Sequence, residues 1–100
     1  MRAGALVTGE TKCLQAIAGG QALLVLVDGG ASENTRKMYL DACNHRDIPM
    51  MLLPGGALGR AIGREERMSA AVTSRRWNEA LTARLNEDFP DEWVHEPRGS

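Results

Sequence analysis

Ala22-Leu23-Leu24-Val25-Leu26-Val27 is an unbroken run of six apolar residues that leads directly into Asp28-Gly29-Gly30 and then Ser32-Glu33. Six residues is strand length, far short of the roughly 20 needed to span a bilayer. The run lacks the apolar–polar alternation of a strand with one wet face, so it reads as a central strand covered on both sides. Asp28-Gly29-Gly30 ends it, and Ser32 can cap a following helix with Glu33 favourably placed in the first turn. That helix runs to about His45, with Thr35, Met38, Tyr39, Ala42 and Cys43 forming its apolar stripe. Arg46-Asp47 then leads into Ile48-Pro49-Met50-Met51-Leu52-Leu53, a second buried strand broken by Pro54-Gly55-Gly56.

The same alternation continues in both directions. Upstream, residues 9–18 read as a helix closed by Gly19-Gly20. At 100° per residue, Cys13, Leu14, Ile17 and Ala18 share its core side, while Thr11, Lys12 and Gln15 share the other. Downstream, a short helix over 57–62 stops at Gly63. Arg64-Glu65-Glu66-Arg67 is a charged loop, and residues 68–73 form a third strand. Ser74 caps a last helix in which Trp77, Ala80, Leu81, Arg84 and Leu85 repeat at helical spacing. Strands alternating with helices imply a three-layer α/β/α sandwich with a small mixed sheet. From Glu87 the apolar period is lost, and residues 87–100 read as an acidic, mostly flexible tail. Phe89 and Trp93, four apart, could dock there as a helical turn or anchor a partner.

The chain has 100 residues, with 12 Lys+Arg against 13 Asp+Glu. That near balance looks unfavourable for a nucleic-acid binder. It is an average over two unlike parts. Residues 1–86 hold 11 basic and 8 acidic side chains, a net of +3, whereas residues 87–100 hold 1 and 5, a net of −4. A mildly basic domain carries an acidic end.

Chemical signatures are sparse. Cys13 and Cys43 are too few for a disulfide framework and form no C-x-x-C, so they read as buried free thiols. Together with His45 and His95 they lack the spacing of a zinc site. The N-terminal residues lack the apolar core and cleavage site of a signal peptide, which leaves the cytoplasm as the expected compartment. His45 lies four residues after Asp41, the spacing of a surface pair, and no nucleophile signature such as G-x-S-x-G occurs. The segment 55–63 has neither G-x-G-x-x-G spacing nor a terminal Lys-Ser/Thr. Asp28-Gly29-Gly30, between a strand and a helix, offers at most some affinity for an anion. These features point away from an enzyme, a cofactor and a metal.

Three ordered blocks carry a resemblance: Arg2-Ala3-Gly4-Ala5-Leu6-Val7-Thr8-Gly9-Glu10, Ala31-Ser32-Glu33-Asn34-Thr35-Arg36-Lys37, and Leu58-Gly59-Arg60-Ala61-Ile62-Gly63-Arg64 continuing through Ala71-Val72-Thr73. Their order and spacing resemble the L7Ae family of small ribosomal and kink-turn RNA-binding proteins, in particular its bacterial YlxQ-like branch, over roughly residues 2–80. The resemblance implies a non-enzymatic, monomeric, cytoplasmic protein that binds ribosomal or other structured, kink-turn-like RNA, with the ribosome as a further partner. It implies an RNA-binding domain over residues 1–86, followed by the acidic tail. Relatives carry a helix ahead of Arg2-Ala3-Gly4, so the domain is expected to lack its usual first helix, with Phe89 and Trp93 available to cover the exposed flank.

In the family, the helix after the first glycine meets tandem sheared G·A pairs, and the loop after the L-G-[KR]-x-x-G helix touches an extruded nucleotide. By resemblance the first element here is Gly9, Glu10, Thr11, Lys12 and Gln15, and the second is Ile62, Gly63, Arg64, Glu65, Glu66 and Arg67. The residues fit such a role. Gly9 precedes a helix start, where unpaired N–H groups favour phosphate or a base acceptor edge. Lys12 suits a guanine edge or a phosphate, and Gln15 both donates and accepts. Arg60, Arg64 and Arg67 add charge, provided they converge near Gly9. Strong kink-turn binders carry Asn-Glu-x-x-Lys where this chain has Thr11-Lys12-x-x-Gln15. An acidic acceptor has become a cation and a lysine has become neutral, and Glu65-Glu66 adds negative charge. RNA binding less specific than kink-turn recognition is therefore expected, and the alternative is a protein-interaction module on the same fold.

Overall fold

A computed structural model describes residues 6–63 and 67–95. In chain order the elements are β1 (Leu6–Thr8), α1 (Glu10–Ala18), β2 (Leu24–Asp28), α2 (Glu33–Arg46), β3 (Met50–Leu53), α3 (Ala57–Ile62), β4 (Ser69–Val72), α4 (Arg75–Asp88) and β5 (Trp93–His95). The five strands form one mixed sheet in the order β1-β4-β2-β3-β5. Only β2 and β3 pair in parallel, and α2 supplies the crossover that such a pair requires. β4 runs antiparallel between β1 and β2, pairing Val7 with Ala71 on one side and Val25 with Ala71 on the other.

Side chains of each strand alternate between two apolar layers. Val25, Val27, Met50 and Ala71 face α1 and α2, where Cys13, Ile17, Tyr39 and Cys43 are buried. Leu24, Leu26, Met51, Leu53, Ala70 and Val72 face α3 and α4, meeting Leu58 and Leu85, with Trp77 and Leu81 packed at the margin. The uniform apolarity of residues 22–27 is thus explained by cover on both faces, and the three-layer sandwich is present. On α1 the buried small residue is Ala16, whereas Ala18 is exposed, because the helix axis turns Cys13, Ala16 and Ile17 toward the sheet.

Two strands depart from the sequence expectation. β1 is only three residues long and owes its existence to pairing with β4. The described part of the acidic segment is ordered structure, not a flexible tail. α4 extends to Asp88, and Trp93–His95 adds an edge strand antiparallel to β3. Phe89 and Trp93 do pack on the α3–α4 layer, but Trp93 does so from a strand instead of a helical turn. The Trp93 indole N–H donates to Asn86 Oδ1 at 3.0 Å. His95 stands between Asn44 Oδ1 at 2.7 Å and Asp47 Oδ1 at 2.9 Å, fastening β5 to the end of α2.

Asp28 ties the sheet to α3. It is 2% exposed, and its carboxylate accepts from the backbone N–H groups of Gly30 at 2.8 Å, Gly56 at 3.0 Å and Leu58 at 3.2 Å. Gly56 and Leu58 belong to the N-terminal turn of α3, so Asp28 caps that helix from a neighbouring strand. Burial pushes the Asp28 pKa up, but the three N–H donors and the positive Arg60 outweigh it and hold the carboxyl below its ordinary value. Gly29 is required by close approach, since a Cβ there would stand 2.7 Å from the Leu53 carbonyl oxygen.

Candidate functional site

β1 and β2 both finish at the same end of the sheet, since each runs antiparallel to the β4 strand between them. Their following helices, α1 and α2, therefore begin side by side. Gly9, at φ 92° and ψ 150°, turns the chain from β1 into α1, a conformation that residues with a Cβ rarely adopt. Its N–H donates to the Ser69 carbonyl at 3.2 Å, and its own carbonyl accepts from Cys13 N–H at 3.0 Å, opening the helix. At α2 the Ser32 hydroxyl accepts from Thr35 N–H at 3.2 Å and donates to Thr35 Oγ1 at 2.9 Å.

Between the two helix starts lies a cleft of about 280 Å³ lined by Gly9, Glu10, Ala31, Ser32, Thr35, Arg67, Met68 and Ser69. Arg67 comes from the segment that enters β4, and its guanidinium lies over Gly9, with Nη1 3.2 Å from where a Cβ of residue 9 would sit. Two positive helix ends and one guanidinium thus face one concavity. The chemistry beneath it is inert. Tyr39 and Ser69 share a buried hydroxyl–hydroxyl hydrogen bond of 2.8 Å. Burial is the main influence raising the Tyr39 phenol and the Cys13 thiol, so both remain protonated at neutral pH. This is a binding surface in which two helix starts and one guanidinium stand beside the carboxylate of Glu10.

The expected site residues separate into groups. Gly9, Glu10 and Arg67 meet at the cleft. Lys12 and Gln15 line a neighbouring groove of about 580 Å³, shared with Val7, Ala16, Gln21 and Thr73. Thr11, also exposed, follows Glu10 in the first turn of α1. Arg60 is directed elsewhere, over Gly56 and close enough to Asp28 to act on its charge. Ile62 packs against the α3–α4 layer, and Gly63 ends α3 at φ 74°. Arg64, Glu65 and Glu66 lie outside the described residues. Nor is the turn around Asp28-Gly29-Gly30 an open anion seat, because the chain's own carboxylate occupies the N–H groups there.

Sequence reasoning missed Ser32, Thr35, Met68 and Ser69 as cleft residues. Ser32 reads as a cap and Thr35 as a stripe position, and the block they share carries the resemblance without a site role for either. The signal that could have found them is topological: two strands flanking a common antiparallel neighbour must deliver their helices to the same end. Among the described residues, no group of three or more His, Cys, Asp and Glu could hold a metal ion, and no helix is long and apolar enough to cross a membrane.

Residues 1–81 match the model of the ribosomal protein L7Ae/L30e/S12e/Gadd45 family. The chain belongs to that family. Among its relatives in the family, the RNA-binding protein YlxQ of Bacillus subtilis (strain 168) is 37% identical over 86 residues, covering 85% of this chain and 86% of that protein. The RNA-binding protein YlxQ of Enterococcus faecium is 33% identical over 73 residues, 72% of this chain and 71% of that one. A solved structure of a Bacillus halodurans protein of unknown function superposes with a TM-score of 0.75 at 35% identity, covering 85% of this chain and 87% of its own. The family's fold therefore extends over the helices and strands that build the cleft.

Proposed function

We propose that this protein binds folded RNA, of ribosomal or kink-turn-like structure, through the start of α1 and the segment that leads into β4. The observation that carries this reading is the seating of the Arg67 guanidinium over Gly9, between the first turns of two helices. Phosphate or a base acceptor edge is the chemistry such a concavity attracts. Met68, 42% exposed on its rim, gives an unstacked base an apolar surface to lie against. Lys12 and Gln15, in the adjacent groove, supply a cation and an amide for base edges. The two relatives named as RNA-binding proteins support the same conclusion. The protein acts as a cytoplasmic monomer, without a cofactor or chemistry of its own, at ribosomal or other structured RNA.

The test is a titration of labelled kink-turn RNA and a plain stem of equal length at several salt concentrations. Binding with a clear salt slope, weakened by Lys12→Ala, Gln15→Ala and Arg67→Ala, is expected. Because Thr11-Lys12-x-x-Gln15 carries a cation and an amide in place of Asn-Glu-x-x-Lys, preference for the kink-turn over the stem should be modest. Failure to bind either RNA at micromolar protein would remove this reading and favour a protein-interaction module on the same fold.

A further inference from the structure

Arg36 lines neither the Gly9 cleft nor the groove beside Lys12. It sits in the second turn of α2, beside Thr35 of the cleft, with Nη1 3.5 Å from the Gly29 carbonyl oxygen, at the far end of hydrogen-bond range. Gly29 and Gly30 lie against a second pair of glycines. A Cβ on Gly29 would stand 3.3 Å from Gly55 N, and one on Gly55 would stand 3.8 Å from Gly30 N. The turns that end β2 and β3 thus meet backbone to backbone, as a low saddle from which no side chain of these four residues rises. Beyond the saddle, Arg60 Nη1 lies 3.0 Å from where a Cβ of Gly56 would be, repeating the placement of Arg67 over Gly9. Three guanidiniums therefore rest on glycine backbone in the order Arg67, Arg36, Arg60 across one end of the sheet. Ser32 and Thr35 link the first to the second, and the glycine saddle links the second to the third. Asp28 takes the N–H groups of Gly30 and Gly56 and the Leu53 carbonyl takes that of Gly29, so attraction for an anion here comes from the arginines, working against the Asp28 carboxylate beneath them.

We propose that this end of the sheet is a phosphodiester track, on which Arg36 and Arg60 hold RNA backbone phosphates beyond the nucleotides seated at the Gly9 cleft. Guanidinium is planar and matches phosphate with paired N–H donors, and a surface without side chains lets a sugar–phosphate chain pass close to the protein backbone. Such contacts set register and affinity without reading sequence. This rests on the RNA-binding reading above and extends its footprint across the tops of β2 and β3.

The test measures the affinity of the full chain for the labelled kink-turn RNA and the plain stem between roughly 50 and 200 mM salt. Arg36→Ala should weaken both RNAs alike, severalfold, and reduce the slope of log K against log salt by about 0.7–1. Arg36→Lys, which keeps the charge, should restore most of the slope. Arg36→Ala combined with Arg60→Ala should lose about twice as much. Arg60 borders Asp28, so Arg36→Ala carries the argument, with a thermal melt confirming its fold. Arg46→Ala removes a cation at the opposite end of α2 and should leave the slope unchanged. If the unaltered protein binds but Arg36→Ala keeps its slope, or Arg46→Ala lowers it equally, the track is wrong and the cleft reading stands. If the unaltered protein binds neither RNA, both fall together.

Discussion

Removing the Asp28 carboxylate should cost more stability than its single position in the chain suggests. Three backbone N–H groups point at it, and they are not equally sheltered. Leu58 N–H lies in a buried hydrogen bond, while those of Gly30 and Gly56 are only partly covered. A buried donor stripped of a charged acceptor loses about 2 kcal/mol, and a donor that water can reach loses about 0.5–1 kcal/mol. For Asp28→Ala the total is about 3–4 kcal/mol. At about 4–8 °C per kcal/mol for a domain of this size, the melting temperature should fall by roughly 12–30 °C. Asp28→Asn keeps one oxygen acceptor and should lose about half of that.

The two variants also report on pH. The folded-state pKa of Asp28 lies below its unfolded value, so its contribution is complete above the unfolded pKa of about 3.9 and disappears as pH falls through the folded value. Urea unfolding followed by far-UV circular dichroism should therefore show a constant gap between the parent and Asp28→Asn above about pH 5, narrowing below pH 4. An Asp28→Ala variant within 1 kcal/mol of the parent would contradict this account, as would a gap that does not change between pH 3 and 7.

Gly9→Ala forces a Cβ into a left-handed backbone against the Arg67 guanidinium, and should cost about 1–3 kcal/mol while weakening RNA binding together with Arg67→Ala. Additive losses in the double variant would show that the two residues do not act as one unit. Truncation after Asn86 deletes Phe89, Trp93 and β5 and should lower the melting temperature by several degrees, and Trp93→Ala should reproduce part of the drop. Burial pushes the Cys43 thiol up to about 12, so iodoacetamide at pH 8 should modify it only after denaturation, as mass spectrometry of native and unfolded samples would show.

How much of this could be read from the sequence depended on whether the signal was local. The Ala22–Val27 run, the Ser32 and Ser74 caps and the breaks at Gly19 and Gly63 act within a few residues, and the elements they imply are present. β1 and β5 have three residues each, too few to show a period, and exist because an edge of the sheet accepts them. The acidic Asp91 and Glu92 further disguised β5 as tail. The same distinction runs through the site. Gly9 announces itself as a helix entry, but the arrival of Arg67 over it, 58 positions later, is a property of the β1–β4 pairing. Arg60, spelled in a familiar motif, goes to Gly56 instead, while Arg36 stands in a block that carries the family resemblance and receives no role of its own there.

The strand order has a consequence for how the molecule is made. Synthesis delivers β1, β2 and β3 first, yet β1 has no neighbour among them, because its place is beside a strand that begins at Ser69. An emerging chain can join β2 to β3 through α2, but its first strand must wait until β4 slides between two segments already released. The Gly9 entry to α1 is held by Ser69, so it waits with it. A nascent chain that has not yet released Val72 therefore has β2 and β3 paired but no cleft, and the surface that would bind RNA comes into being only when β4 is inserted.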